Sequence, residues 1–190
     1  MTSPHLHSSP DEHRLSIRVR ESRWDEADTA AVSALLRTYL LQTESEKHEH
    51  GRAASPASPG SPGSPGSIMP LPSRYEREVT DPRASYDDCT TLLALLEQRP
   101  VGVVIVRIDG EGAEIKRLWA DPSLRGRGLG SALLDAALAL TSGNVRLSVW
   151  DWRGPAIGLY ESRGFERVAS WDDRAGLICM VRPANTLPLR

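Results

Sequence analysis

Arg125, Gly126, Arg127, Gly128, Leu129, Gly130 and Ser131 alternate basic residues with glycines just ahead of an apolar, helix-patterned run. Glycine admits positive φ, so such a turn can leave its main-chain N–H groups uncovered as a nest for an anion. The following helix adds the positive end of its dipole, and the two arginines add side-chain cations. Three favourable effects therefore converge on a phosphate-bearing ligand. Spacing narrows which one. A nucleotide P-loop requires Gly-Lys-Ser/Thr after four intervening residues, and no lysine follows Gly130. A dinucleotide fingerprint requires glycine three places after its second, where Ser131 stands. The competing reading of the same residues is a solvated turn with surface arginines.

Arg125-x-x-Gly128-x-Gly130 resembles the pyrophosphate loop, Arg/Gln-x-x-Gly-x-Gly/Ala, of the GNAT superfamily of acetyl-CoA-dependent N-acetyltransferases. Downstream, Val-Arg-Leu-Ser-Val-Trp at 145–150 leads into Gly-Pro-Ala-Ile-Gly-Leu-Tyr-Glu-Ser-Arg-Gly-Phe at 154–165. That stretch is similar to the family's second motif, a strand and then a helix ending in Leu-Tyr-x-x-x-Gly-Phe. The resemblance is close over 101–182 and looser over 15–100. It implies an α+β fold, a mixed but mostly antiparallel sheet of six or seven strands flanked by about four helices. It also implies transfer of acetyl from acetyl-CoA to a primary amine of a small molecule, peptide or protein, by direct attack in a ternary complex. The diphosphate would sit on residues 125–131, and Leu118, Trp119 and Ala120 would offer main-chain groups to the pantetheine arm.

Two residues carry the expected proton chemistry. Tyr160 matches the family tyrosine beside the thioester sulphur, and a phenol with pKa about 10 can protonate a departing thiolate as charge develops. Its rival role is a ring packed in the core. Glu114 precedes Arg125 by the same spacing as the strand glutamate that acts as general base in some members. A base is useful because an alkylammonium, pKa about 10.4, is mostly charged at neutral pH. The alternative is a strand carboxylate paired with Lys116 or an arginine. One position departs from the family pattern: Arg153 stands where asparagine is common, so it is a candidate for phosphate, for an acidic acceptor, or for capping the next helix. That departure keeps a non-catalytic acyl-CoA-binding regulatory module as the second reading.

The elements that must hold these residues follow from periodicity. Residues 15–20 alternate as a first strand, and 24–42 repeat apolar residues at helical spacing with Ser22 or Asp25 as cap. Composition then shifts to polar and Pro/Gly/Ser-rich sequence over 43–70, an insertion unable to bury apolar surface. Residues 71–86 are ordered in a form the pattern does not specify. Strands follow at 90–96 and 101–108, the second β-branched almost throughout and so covered on both faces. A hairpin turn at 109–112 precedes a strand at 114–120, and the apolar stripe of the helix at 130–140 packs the glycine loop against the sheet. A strand at 144–150, a helix at 155–163 and strands at 165–172 and 176–182 complete the domain of 15–183, between a disordered tail at 1–14 and a short tail at 184–190.

With 190 residues and 39% hydrophobic content, one α/β-type core is expected. A net charge of −2 without a basic stripe argues against nucleic acid. No long apolar run or signal-like core indicates a membrane or export, so the cytoplasm is the expected location. Cys89 and Cys179 lack metal-type spacing, no metal ligand set emerges, and buried thiols are the expectation. Nothing in the pattern decides between a monomer and a homodimer.

Overall fold

The computed structural model describes residues 16–52, 70–110 and 112–184. The predicted N-terminal tail, residues 53–69 of the predicted insertion, Glu111 of the hairpin turn and residues 185–190 lie outside the described residues. The strands are β1 (Ile17–Glu21), β2 (Cys89–Leu96), β3 (Arg99–Asp109), β4 (Gly112–Ala120), β5 (Asn144–Trp150), β6 (Glu166–Val168) and β7 (Leu177–Arg182). The helices are α1 (Glu26–Glu49), α2 (Glu76–Thr80), α3 (Pro82–Ser85), α4 (Leu129–Leu138) and α5 (Gly154–Glu161). The strands form one sheet in the order β1-β2-β3-β4-β5-β7-β6. Every pairing is antiparallel except β4 with β5. This is the α+β arrangement expected from the sequence.

Alternation along β2 and β3 divides the core between the two faces of the sheet. Leu92, Ala94, Val104 and Val106 meet Leu133 and Leu134 of α4 on one side. Leu93, Val103 and Ile105 meet Val32, Leu36 and Leu40 of α1 on the other. The expectation of cover on both faces holds for this reason over Val101–Val106, whereas Ile108 is exposed.

Helix α1 runs to Glu49, beyond the boundary that apolar spacing sets at Gln42. Its start is capped by Asp25, whose Oδ1 accepts the Asp28 amide at 2.8 Å. Its last two turns are polar yet partly buried, because their side chains bond across the fold. Glu44 takes Lys47 at 2.7 Å and Arg74 at 2.5 Å. Tertiary ion pairing therefore replaces the apolar stripe there, and the beginning of the predicted insertion is helix. Residues 73–85 form a 3-10 turn and the short helices α2 and α3. β6 stops at Val168, short of the expected 172, since a turn held by Ser170 and Asp172 interrupts it.

β4 and β5 determine the site. They pair only from Gly112 with Asn144 to Ile115 with Leu147, and beyond that they diverge. At the paired end the chains touch: a Cβ on Gly112 would lie 2.1 Å from the Asn144 carbonyl oxygen, so only glycine fits. The β3–β4 register slips at Ile105/Val106, leaving Lys116 as the extra residue of a bulge just where the divergence begins.

Candidate functional site

From Lys116 to Ala120, the edge of β4 that faces β5 has no ladder partner on that strand. The gap opens into a cleft of about 1230 Å³ that reaches the loop before α4. In that loop Gly126 and Gly128 have φ of +78° and +79°, and a Cβ at either would touch nothing within 4 Å. Backbone conformation, not lack of space, requires glycine there.

The Arg125 and Arg127 amides turn inward to the Pro122 and Leu124 carbonyls at 3.3 and 3.4 Å. Those of Gly126, Gly128, Leu129, Gly130 and Ser131 have no hydrogen-bond acceptor among the described residues. The last three belong to the first turn of α4, whose dipole adds to them. Five unpaired donors beside a divergent strand pair fit a diphosphate. Neither arginine side chain forms an ion pair among the described residues. Arg125 lines the cleft, whereas Arg127, expected beside it, does not. Leu118, Trp119 and Ala120 line the cleft as expected.

Tyr160, on α5, lines the same cleft but is only 6% exposed, its ring packed on Phe165 at 5.7 Å. Burial pushes its phenol well above the ordinary tyrosine value, Tyr39 adds to this, and the Arg153 charge partly offsets it. The hydroxyl therefore stays protonated at neutral pH.

Arg153 does not extend toward the glycine loop. Its guanidinium is held by α1, with Nε on Glu46 Oε2 at 2.8 Å and a terminal nitrogen on Thr43 Oγ1 at 2.8 Å. Its planar group also lies 5.4 Å from the Tyr39 ring centroid. Among the described residues its partners in this clasp are on α1, which extends far enough to present Glu46. The clasp continues: Trp152 Nε1 donates to Glu46 at 3.1 Å, Gln42 Nε2 donates to Glu46 at 2.7 Å, and Trp119 Nε1 donates to Gln42 at 2.9 Å. It thereby ties β4 and the β5–α5 turn to one helix across the divergence. Burial alone would raise the Glu46 pKa, but the bonds from Trp152 and Arg153 outweigh it and the carboxyl is held low.

Glu114 sits among Lys116 at 2.9 Å and Arg107 and Arg146 at 3.1 Å each. Burial would raise its pKa, but the contacts with Lys116 and Arg146 prevail and lower it. Of its two readings from the sequence, the geometry favours the paired carboxylate, since three cations reduce the proton affinity that a base needs.

Residues that sequence reasoning missed form the rest of the wall. Glu78 of α2 takes Arg117 through two bonds, at 2.9 and 3.1 Å, and accepts the Tyr86 hydroxyl. Gln42, Glu46 and Trp171 also line the cleft. Only the four-residue spacing of Gln42 and Glu46 could have hinted at a shared helix face, and periodicity had already ended the helix. Among the described residues no cluster of three or more His, Cys, Asp or Glu could hold a metal. No helix there is long and apolar enough to cross a membrane.

A model of the acetyltransferase (GNAT) family matches residues 64–165. No curated protein matches the chain in sequence. Among solved structures, the ribosomal-protein-S18-alanine N-acetyltransferase of Escherichia coli is similar at 19% identity and TM-score 0.60, with 92% of this chain and 99% of that one covered. The PaiA N-acetyltransferase of Thermoplasma acidophilum, in complex with coenzyme A, is similar at 19% identity and TM-score 0.61, covering 89% and 99%. An acetyltransferase from Staphylococcus aureus reaches a TM-score of 0.62 at 15% identity, covering 88% and 99%. At these identities the likeness is one of fold.

Proposed function

This chain belongs to the acetyltransferase (GNAT) family, and on that premise we propose that it moves an acetyl group from acetyl-CoA to an amine by direct attack in a ternary complex. The observation that carries this reading is the row of unpaired amides at Gly126 and Gly128–Ser131 beside the divergent strands. Acetyl-CoA, when bound, supplies the thioester carbon that the amine attacks. The amides of Gly126 and Gly128–Ser131, with Arg125, would hold the diphosphate, and the free edge of Leu118–Ala120 would orient the arm between β4 and β5. Orientation of this kind contributes much of the acceleration in a reaction whose partners need only be brought together.

Tyr160 delivers its hydroxyl proton to the departing sulphur and recovers one from water. Burial keeps the hydroxyl protonated between turnovers but also makes it a weaker acid, so the proton moves only as negative charge develops on the sulphur. Glu46, Glu78 and Glu114 each face a cation, so water in the cleft takes the proton from the attacking nitrogen. On this reading Glu114, paired with Lys116, Arg107 and Arg146, anchors the sheet instead of acting as the base. We place the protein in the cytoplasm, with an amine as its only required partner.

Incubation with acetyl-CoA and a panel of small amines and peptides, followed by thiol release and mass spectrometry, tests the reading. A mass gain of one acetyl group on an acceptor is the expected result. Tight acetyl-CoA binding with thiol release no faster than hydrolysis on every amine would support the non-catalytic binding module.

A further inference from the structure

The acceptor half of the cleft concentrates the chain's aromatic residues. Four of the five tryptophans, Trp119, Trp150, Trp152 and Trp171, line the cleft, as do three of the four tyrosines. The buried core is otherwise mostly aliphatic. Most of these rings already have partners. His50, Trp152 and Trp150 stack in sequence at centroid distances of 4.6 and 4.8 Å, with planes within 11° and 12° of parallel. Lys47 lies 5.0 Å and Arg174 5.8 Å from the Trp150 ring centroid. The chain's own cations thus occupy the positions that a ligand ammonium would seek over these rings.

The carboxylates are equally engaged. Glu46 pairs with Arg153 at 2.7 Å, Glu78 with Arg117 at 2.9 Å and Asp172 with Arg174 at 2.6 Å, and Glu114 has its three cations. A polycationic acceptor would have to displace a cation to pair with any of these four. Asp121, at the start of the glycine loop, holds Ser123 instead.

Trp171 differs from the other rings. It lines the cleft, is 48% exposed, and has no ring or cation stacked on it among the described residues. Its turn is fixed on both sides. Ser170 Oγ donates to the Asp172 carbonyl at 2.7 Å and accepts the Asp172 amide at 3.1 Å, while Arg174 holds the Asp172 carboxylate through two bonds. An exposed indole on a prearranged turn offers a flat apolar face at little ordering cost.

Resting on the acetyltransferase reading, we propose that the acceptor is an amine carried by an aromatic or heteroaromatic ring, directly or through a short linker, and that Trp171 stacks on that ring. The new N–C bond forms as the C–S bond breaks, the nitrogen's proton passes to water, and the sulphur takes its proton from Tyr160. An amine bonded directly to a ring is neutral near pH 7, which suits a cleft whose Glu46, Glu78, Glu114 and Asp172 are each held by a cation of the chain.

The test compares aniline and 2-phenylethylamine with spermidine and a lysyl tripeptide under saturating acetyl-CoA, in the full chain and in Trp171→Ala. We expect kcat/KM about tenfold higher for at least one ring amine than for either non-aromatic acceptor. We also expect Trp171→Ala to raise the ring amine's KM about tenfold with kcat and the acetyl-CoA KM within twofold. The relative rates of aniline and phenylethylamine separate direct attachment from a linker. Preference for spermidine or the lysyl peptide, or equal losses for all acceptors in Trp171→Ala, overturns the proposal while leaving acetyl transfer intact. Failure to bind acetyl-CoA at all, read separately by thermal shift, would instead remove the parent reading. If acetyl-CoA binds but no amine turns over, ring amines must still quench the indole emission of the CoA complex in wild type more than in Trp171→Ala. Absence of that difference also overturns the proposal.

Discussion

The two halves of the cleft are built on opposite principles. The half around α4 works by what it leaves unbonded: five main-chain amides, and the Arg125 side chain, without partners among the described residues, on a loop with glycines at positive φ. The half around α1 works by saturation. Glu46 alone accepts from Gln42, Trp152 and Arg153, and almost every charge there has a counter-charge. The first half therefore has donors to offer an anion, whereas most charges of the second are already paired. Changes at the loop should act on cofactor affinity, and changes at the clasp on folding and acceptor binding.

The sharpest way to break that contrast is Gly128→Glu. A side chain at φ +79° carries a backbone cost of about 1–2 kcal/mol, and the carboxylate opposes a diphosphate. Acetyl-CoA affinity should fall by about a hundredfold or more in calorimetry while the circular dichroism spectrum stays native. Next, Tyr160→Phe should lower kcat by about a hundredfold and leave the KM for acetyl-CoA within about threefold, the pattern for a group acting only in the transition state. An unchanged kcat would return Tyr160 to a packing role.

The clasp predicts the reverse pattern. Arg153→Met leaves Glu46 without its cation and should cost about 2–3 kcal/mol in urea unfolding, with acetyl-CoA affinity within about threefold. A large loss of cofactor affinity with unchanged stability would mean that Arg153 serves the cofactor after all. The smallest effect concerns Asp28, outside both halves. The Arg20 guanidinium bonded to it, helped by the Arg23 amide, holds its carboxyl at about 2 against the ordinary 3.8. A depressed folded pKa means that the stabilisation is present above pH 3.8 and disappears as the pH falls toward 2. Asp28→Asn should therefore lower stability by about 1 kcal/mol at pH 7 and by progressively less below pH 3.8, as measured by thermal unfolding across pH.

The same contrast explains what was legible in the sequence. The glycine loop announces itself because its function lies in the backbone, and backbone requirements are written as local residue spacing at Gly126 and Gly128. The two-faced core was readable from the β-branched run at Val101–Ile108 for a similar reason. The wall built by α1 was not legible. The last turns of α1 lack an apolar stripe and are helical because Glu44 and Glu46 meet Arg74 and Arg153 from distant parts of the chain. The ion pair of Arg153 with Glu46 was not among the roles its sequence position suggested, because Glu46 lies on a part of the helix that periodicity had already closed. Glu114 had both its readings in the sequence, but only the placement of Arg107 and Arg146 on adjacent strands distinguishes them.

The central claim is that the unpaired amides between Gly126 and Ser131 bind the diphosphate of coenzyme A. Calorimetric titration of the full chain with acetyl-CoA tests it most directly, with coenzyme A and 3′-dephospho-coenzyme A as controls that retain the diphosphate. One binding site for all three ligands is predicted, with a rise in melting temperature that grows with ligand concentration. No heat and no thermal shift with any of the three would contradict it.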